Sequence, residues 1–413
     1  MRLAELGGRT FASLRNHPGY RLYFAGNAVS FVGTWMQQIA AYWLLLELTS
    51  SPVAVGALAL VQTLPITGLA LVGGAVADRV DLRRMVIACE AALAAIAALL
   101  ALLALSGRIE PWHLYALGLA QGVFLALDAP ARHTLVFRIV GRDDLPNAVA
   151  LSSALGTSAR IAGPAIGGIV VAAAGPGFAF AANAATYLVA ICAITMIRLA
   201  PRLPAGSQPA WLGITDTFRF AFGSRRVTVV FLTVLLVGTF SFNFDVLLPL
   251  LAKRTLDEGA AVFGLIAAVF GFGALCGALI LATVARARLA LMLTGAAGFG
   301  VAQLALAPQR SLVAVCLLLF AGGIFYVLWG SSALAMLQLA APEHLRGRAA
   351  SLYFFAFQGG APLGGILAGW LVAAGGTGLA FSLAGALAVA VAGAGAALVA
   401  LQRPTSSEPV REG

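Results

Sequence analysis

The sequence has very little charge for its length. Aspartate, glutamate, lysine and arginine make up 10% of its 413 residues, whereas a soluble domain carries about 25%. A chain this poor in charge cannot keep a water-exposed surface wetted, which excludes an ordinary soluble protein. Apolar runs of roughly 20 residues, the length that crosses a bilayer as a helix, recur from one end of the chain to the other. We therefore predict an all-α polytopic membrane protein with twelve transmembrane helices.

Residues that support catalysis are also scarce. The four cysteines lie inside apolar runs with neither disulfide nor metal-site spacing, and we expect them to pack as small apolar side chains. The four histidines lie at or near the ends of predicted helices and form no metal cluster. Because the sequence also lacks a nucleotide-binding loop and a nucleophile elbow, we predict no enzymatic activity, no cofactor and no metal. A membrane enzyme or an ion channel is kept as a remote alternative.

The basic residues are distributed unevenly among the connections between apolar runs. The net charge is +10, but the arginines fall in alternate connections, which is the positive-inside pattern of a membrane protein rather than a nucleic-acid-binding surface. Outward-facing connections hold only Arg108, Lys253, Arg254 and Arg310, and Arg160 lies inside a span. We therefore predict that both termini are cytoplasmic and that nucleic acid is not a partner.

A proline-rich segment divides the chain near its middle, because Pro201, Pro204 and Pro209 cannot continue a helix. The predicted parts are, in order, an N-terminal six-helix bundle (1–197), a cytoplasmic linker (198–226), a C-terminal six-helix bundle (227–401) and a cytoplasmic tail (402–413). Within the linker, residues 211–222 fit an interfacial helix or an irregular loop.

Small residues recur in the two halves at offsets of about 200 residues. The matching sets are Gly163-Pro164 with Ala361-Pro362, Gly167-Gly168 with Gly364-Gly365, and Gly56 with Gly264. Repetition of this kind is typical of transporters with two related halves. We therefore predict two pseudo-symmetric six-helix bundles around a central cavity.

A cluster of charges lies between the second and third apolar runs. Its residues are Gly74-x-x-x-Asp78-Arg79-x-x-x-Arg83-Arg84. They resemble the signature loop of the major facilitator superfamily, although Asp81 stands where that family has glycine. The resemblance implies a transporter fold in which Gly74 and Asp78, on one helix face, contact the other half and form a latch. The alternative is that the arginines only hold the loop in the cytoplasm.

The fifth predicted helix carries a second motif, Gly163-Pro164-x-x-Gly167-Gly168. Gly163 and Gly167 form a small-residue face for close helix packing, and Pro164 permits a bend. The motif is similar to that of drug and proton antiporters of the same superfamily, with Ala159 in place of an earlier glycine. A role in export and simple close packing both account for it.

Ionisable residues inside a membrane are costly and usually functional. At about 1.5 Å per residue, Asp128 lies about 15 Å and Arg160 about 20 Å from the inner helix ends, so we expect them to meet near the midplane. Asp128 is the first candidate for proton exchange, and we expect Arg160 to pair with it. Arg132 lies four residues from Asp128 and is the competing partner. The alternative to proton exchange is a static ion pair between adjacent helices. Glu90 and Asp245 are weaker candidates, the first about 9 Å deep and the second near the outer edge, where it would join an outer gate.

Aromatic and amide side chains on the predicted helices 1, 10 and 11 can line a cavity for a large amphipathic substrate. These residues are Trp35, Gln38, Tyr326, Trp329, Tyr353 and Gln358. Each of them alone is also compatible with packing or lipid contact.

Further motifs resemble one branch of the superfamily, which includes bacterial enterobactin exporters and macrolide efflux pumps. They are Asp128-Ala-Pro-Ala-Arg132, Ala159-Arg160-Ile-Ala-Gly163-Pro164, Gly26-x-x-x-Ser30-x-x-Gly33-x-Trp35 and Pro342-Glu343-x-Leu345-Arg346-Gly347-Arg348. The resemblance implies a proton-coupled secondary active exporter of a siderophore, macrolide or other drug in the bacterial inner (plasma) membrane. Its partners would be a small-molecule substrate, protons and the lipid bilayer, and we expect a monomer. A substrate importer or a lipid flippase on the same fold is the alternative.

Overall fold

The computed structural model describes residues 11–77, 80–197, 219–283, 288–341 and 346–400. The regular secondary structure of these segments is helical throughout, as the composition predicts. Asp78 and Arg79 of the charged loop lie outside the described residues, as does most of the predicted linker. The predicted domain boundaries therefore stay predictions.

The helices of the first half include one that is broken. They are α1 (Ala12–Asn16), α2 (Pro18–Thr49), α3 (Pro52–Ala77), α4 (Leu82–Leu105), α5 (Pro111–Ala174) and α6 (Pro176–Met196). Gly141 interrupts α5 with φ 74°, a left-handed conformation that glycine adopts without strain. The break divides α5 into α5a (111–140) and α5b (142–174).

The helices of the second half also include a broken one. They are α7 (Arg225–Phe240), α8 (Phe244–Leu250, continued by a π-helical turn Leu251–Thr255), α9 (Ala260–Thr283), α10 (Leu289–Leu306), α11 (Leu312–Ala340), α12 (Arg346–Gln358) and α13 (Ala361–Ala400). Gly375 and Gly376 interrupt α13. They divide it into α13a (361–374) and α13b (377–400).

Nine helices of the described chain are long and apolar enough to cross a bilayer. Two of them, α5 with 64 residues and the run Leu352–Ala400 with 49, are each more than twice the roughly 20 residues that one crossing needs. α2 has 32 residues but is not among the nine, because amides such as Asn27 and Gln37 lower its hydropathy. If α2 crosses once and the two broken runs cross twice, the chain crosses twelve times. That count stays a prediction.

The start of α4 follows from its local sequence. The side chain of Asp81 accepts a hydrogen bond of 3.0 Å from the backbone N–H of Arg84, and a cap of this kind stabilises a helix by about 1 kcal/mol. The aspartate that departs from the superfamily's loop therefore serves here as an N-cap. Arg83, in the first turn, donates to the backbone carbonyl of Thr195 at the end of α6.

Glycines join the two halves through two pairs of helices, α3 with α13a and α5b with α9. In the first pair, a Cβ added at Gly56 would come 2.5 Å from the carbonyl oxygen of Gly365. In the second pair, a Cβ added at Gly168 would come 2.7 Å from the Cα of Gly264. Backbones approach this closely only where both partners are small. These four glycines are residues that the sequence repeat matches, so the repeat marks two pseudo-symmetric contacts between the bundles.

Buried amides tie the helices of the first bundle to one another. Gln37 on α2 donates to the side-chain oxygen of Gln121 on α5a at 2.9 Å, and Asn183 on α6 donates to Gln37 at 2.8 Å. Amides away from water are stable only when they are hydrogen-bonded. These three residues therefore hold α2, α5a and α6 in register beside the cavity described below.

Candidate functional site

A central cavity lies between the two bundles. It consists of two adjoining hollows of about 570 and about 240 Å³. Helices α2 and α5b of the first bundle and the residues around the α7–α8 break of the second line both hollows. The side chains common to both are Trp35, Gln38, Tyr42, Thr157, Arg160, Phe242 and Asp245. A pocket of about 300–1,000 Å³ holds a drug-sized molecule, and the larger hollow lies within this range.

The glycine contacts between the bundles close the cavity toward one face of the membrane. On α3, the cavity-lining Thr63 follows Gly56, and on α5b the cavity-lining Arg160 precedes Gly168. α3 begins and α5b ends at the same face, the one that carries Ser50. Both helices therefore place their glycine contact between the cavity and that face.

Charged and aromatic residues add to the closure at this face. The guanidinium of Arg254, from the second half, donates to the backbone carbonyl of Ser50 in the first half. The ammonium of Lys253 lies 5.2 Å from the ring centroid of Trp43, and the Trp43 ring stacks on Phe263 at 6.3 Å. A cation above a tryptophan ring contributes about 0.5–2 kcal/mol. These contacts link the two halves where the cavity ends.

Arg160 and Asp245 are the charged residues that line the cavity within the described chain. The Arg160 guanidinium lies 4.8 Å from the Trp35 ring centroid and 5.6 Å from that of Phe242. Asp245 comes from the opposite half, and its exposed side chain faces the cavity. The described contacts include no ion pair between the two side chains. The cavity thus has a guanidinium on one wall and a carboxyl group on the other.

The prediction that Asp128 pairs with Arg160 is wrong. Arg132 takes the aspartate instead, as the spacing of four residues allows: its Nε donates to Asp128, and its other nitrogens contact Asn27 and Glu90. Arg160 points into the cavity, toward the aromatic rings described above. Depth along a helix places two residues at one level of the membrane but leaves open the direction in which each side chain points.

A role of Asp245 in an outer gate stays a prediction. Asp245 lines the cavity, and the contacts at the closed face come from Lys253 and Arg254, farther along the same segment. The segment breaks between α7 and α8 at Ser241 to Asn243, and the cavity-lining Phe242 and Asn243 lie in this break.

The predicted cavity residues divide into two groups. Trp35, Gln38, Tyr326 and Gln358 line the cavity. Trp329 does not, because it is fully buried in the second bundle and stacks on Phe299 at 6.4 Å. Tyr353 is also buried behind the wall and stacks on Phe357 at 6.0 Å.

Phe242 is a cavity residue that the sequence analysis did not single out. Its ring lies 4.5 Å from that of Tyr326, 5.8 Å from that of Phe244 and 5.4 Å from that of Phe357. It therefore joins the aromatic residues of three helical segments around the cavity. The alternation of aromatic and polar residues from Phe240 to Phe244 is the sequence signal for it, because such alternation does not continue a lipid-facing helix.

The two sequence motifs have different surroundings. In the α5b motif, Gly163 lies against Trp35, and Gly167 lies against Met36 on α2, while Gly168 contacts α9. The motif therefore packs α5b between the two halves beside the cavity. In the charged loop, Gly74 lies near the end of α3, and the latch contact of Asp78 stays a prediction.

Two helical bundles around a central cavity, closed at one face by contacts between the bundles, define a membrane transporter of the major facilitator type. Solved transporters share this fold. The nucleoside transporter NupG superposes with a TM-score of 0.72 at 15% identity, covering 92% of this chain and 99% of that one. A bacterial homologue of the human lysosomal transporter Spinster, in an inward-facing and unoccupied conformation, superposes with a TM-score of 0.69 at 15% identity, covering 92% and 95%.

The chain belongs to the transmembrane secretion effector family, whose sequence profile matches residues 8–410. The enterobactin exporter EntS of Salmonella choleraesuis (strain SC-B67) is 27% identical over 371 residues, which cover 87% of this chain and 86% of the relative. EntS of Shigella boydii serotype 18 is 28% identical over 363 residues with the same coverage. The chain is therefore a multi-pass membrane transporter, and the enzyme alternative is set aside.

Proposed function

We propose that this chain exports an amphipathic small molecule, such as a siderophore, a macrolide or another drug, in exchange for protons. The observation that carries the proposal is the cavity between the bundles, closed at one face by contacts that rocking of the bundles would break. Alternating access requires such a cavity, open in turn to each side. With the termini in the cytoplasm, the closed face is the outer one. The cavity then receives substrate from the cytoplasm.

The chemistry of the cavity supports an amphipathic substrate. Aromatic rings such as Trp35, Phe242 and Tyr326 supply broad apolar contact, while Arg160 and Gln38 supply a few polar anchors. A charged hydrogen bond from Arg160 to an acidic group of the substrate is stronger than a neutral one. The relatives named as enterobactin exporters favour a siderophore within this class.

Proton coupling is supported by the ionisable groups within the bundles. Asp245 lies on the cavity wall, where a proton and a substrate can compete for it directly. Asp128 lies outside the cavity, where binding of a proton would change the charge inside the first bundle rather than compete with the substrate. A monomer in the bacterial inner membrane completes the proposal, since one chain contains both halves of the cavity.

Everted membrane vesicles test direction and coupling together. The vesicles come from cells that lack their own efflux pumps, and a panel of siderophores and macrolides is added after the membrane is energised. We expect one class of compound to accumulate in the vesicles and to dissipate part of the proton gradient. Asp128→Asn should uncouple the two, whereas the exposed Asp257→Asn, at a position with φ 55° that asparagine tolerates, should behave as wild type.

Other results would replace the proposal. A panel in which no compound moves protons would contradict antiport. Substrate accumulation in intact cells, driven by an inward proton gradient, would identify an importer. Translocation of labelled phospholipid without export of any soluble compound would identify a flippase.

A further inference from the structure

A cluster of buried charges lies in the first bundle, outside the cavity. Arg132 on α5a donates from Nε to Oδ2 of Asp128 and from Nη1 to Oδ1 of Asn27. Its Nη2 forms an ion pair with Oε1 of Glu90 on α4. Glu90 is 0%, Asp128 4% and Arg132 8% exposed. One cation therefore stands between two carboxyl groups in a place that bulk water does not reach.

The charges of this cluster do not balance when both carboxyl groups are ionised. Arginine stays protonated in proteins, so Arg132 neutralises one carboxylate and leaves one negative charge. Oδ1 of Asp128 and Oε2 of Glu90 are buried and accept no hydrogen bond from any residue that the structure describes. An uncompensated buried charge and a buried acceptor without a donor are both strongly destabilising. A single proton on either carboxyl group removes the excess charge and supplies an O–H donor.

Resting on the proposed export function, we infer that Glu90, Arg132 and Asp128 form a proton-binding site in which two carboxyl groups share one proton. The proton is taken from water on the outer side and released to water on the inner side, and no other bond forms or breaks. Glu90 is therefore as necessary to the site as Asp128. The sequence analysis treats Glu90 as a weaker candidate for proton exchange because of its shallow depth. Its contact with Arg132 makes it part of the inferred site.

The other titratable groups that face the cluster are Tyr23 on α2, Cys89 on α4 and Tyr187 on α6. Tyrosine and cysteine are ordinarily neutral at pH 7. The two carboxyl groups are thus the part of the cluster whose charge a proton changes near neutral pH.

One helix connects the proton site to the cavity. Asn27 on α2 binds Arg132, and one turn later the ring of Phe31 lies 5.9 Å from the Arg132 guanidinium. Phe31 also lines the cavity, and Trp35 follows it by one further turn. A change in the charge of the cluster therefore acts on the same helix that a substrate in the cavity contacts.

Infrared spectroscopy of the purified full chain in a detergent without ester groups tests the inference without a substrate. Every sample, including the one called wild type here, carries Asp245→Asn, so that the cavity carboxyl group contributes no band. A protonated carboxyl group gives a C=O band that an ionised carboxylate lacks, so we expect this band in the wild type at neutral pH. Glu90→Gln and Asp128→Asn should each abolish it, because the remaining carboxylate then forms a neutral pair with Arg132 and stays ionised. Glu90→Asp, which keeps both carboxyl groups, should retain the band, and Asp257→Asn is the matched control with a wild-type spectrum.

Loss of the band in both single variants is a signature that a static pair of ionised groups cannot give. A wild-type protein without the band, or a band that survives both substitutions, would overturn the inference. Size-exclusion profiles identify a variant that does not fold, and Glu90→Asp then supplies the folded comparison. The export proposal and the shared-proton inference can fail separately. If both variants lose the band but no compound moves protons in the vesicles, only the export proposal is contradicted. If Glu90→Gln exports a compound in exchange for protons as the wild type does, only the shared proton is contradicted.

Discussion

Gly56→Ala is expected to open the cavity toward the outer face. An alanine Cβ would come 2.5 Å from the carbonyl oxygen of Gly365 and 3.0 Å from the Cα of Ile366, so α3 and α13a have to move apart. Overpacking a close contact costs about 1–3 kcal/mol. The cost falls only on the state in which the two helices touch. The population of that state, relative to the outward-open state, should therefore fall by about 5- to 150-fold.

Gly68→Ala on the same helix is the matched control, because a Cβ at Gly68 meets nothing within 4 Å. Both substitutions raise helix propensity by about 1 kcal/mol, so their difference isolates the clash. A single cysteine at Thr63, in a chain whose native cysteines are replaced by alanine, reports access to the cavity. A membrane-impermeant thiol reagent added outside should label it faster in the Gly56→Ala chain. Equal labelling rates in the two variants would refute the reasoning.

Three further predictions concern other parts of the molecule. Arg160→Ala should weaken substrate binding by about 10- to 150-fold, since a charged hydrogen bond contributes about 1.5–3 kcal/mol. Arg160→Lys should lose less, and fluorescence titration of the purified protein measures both. Hydrogen bonds from His17 and Asn16 hold the pKa of Asp144 in the folded protein below its ordinary value of 3.8. These bonds therefore stabilise the fold fully at a pH above the pKa of the unfolded chain, and this stabilisation is lost as the pH falls through the pKa of the folded protein. Asp144→Asn should therefore lower the Tm at neutral pH, and thermal melts should show the difference vanish in acid. Asp78→Asn should slow switching between the inward-open and outward-open states, measured with the cysteine at position 63, and should leave substrate binding intact. The reason is that a carboxylate at the cytoplasmic rim stabilises the N-terminus of a facing helix. Loss of substrate binding with normal switching would contradict this prediction.

The ionisable residues at the cavity and inside the first bundle fall into two groups. Asp245 and Arg160 face the cavity from opposite halves, whereas Asp128 and Glu90 face Arg132 inside one bundle. In the proposed function, the first pair contacts the substrate, and the charge of the second acts on α2 through Asn27. The structure places the two groups of charges apart and connects them through α2.

The sequence by itself determined that this is a helical membrane protein with related halves. In a bilayer every backbone polar group has to be satisfied within its own segment, so an apolar run of roughly 20 residues has few alternatives to a helix. The repeated glycines, including Gly56 and Gly264, also marked contacts between the halves, because close approach of two backbones requires small residues at both partners. These properties depend on local composition and spacing, which are visible along the chain.

Only the tertiary structure decided which charges meet. The contact of Asp128 with Arg132 follows from a spacing of four residues on one helix, but the contact of Arg132 with Glu90 depends on which face α4 turns toward α5a. In the same way, Arg160 meets Trp35 and the second half rather than Asp128. Helix geometry gives the depth of a residue, whereas rotation about the helix axis and choice of neighbour are fixed by packing between segments far apart in the chain. That packing is what keeps the cluster of Glu90, Arg132 and Asp128 apart from the central cavity.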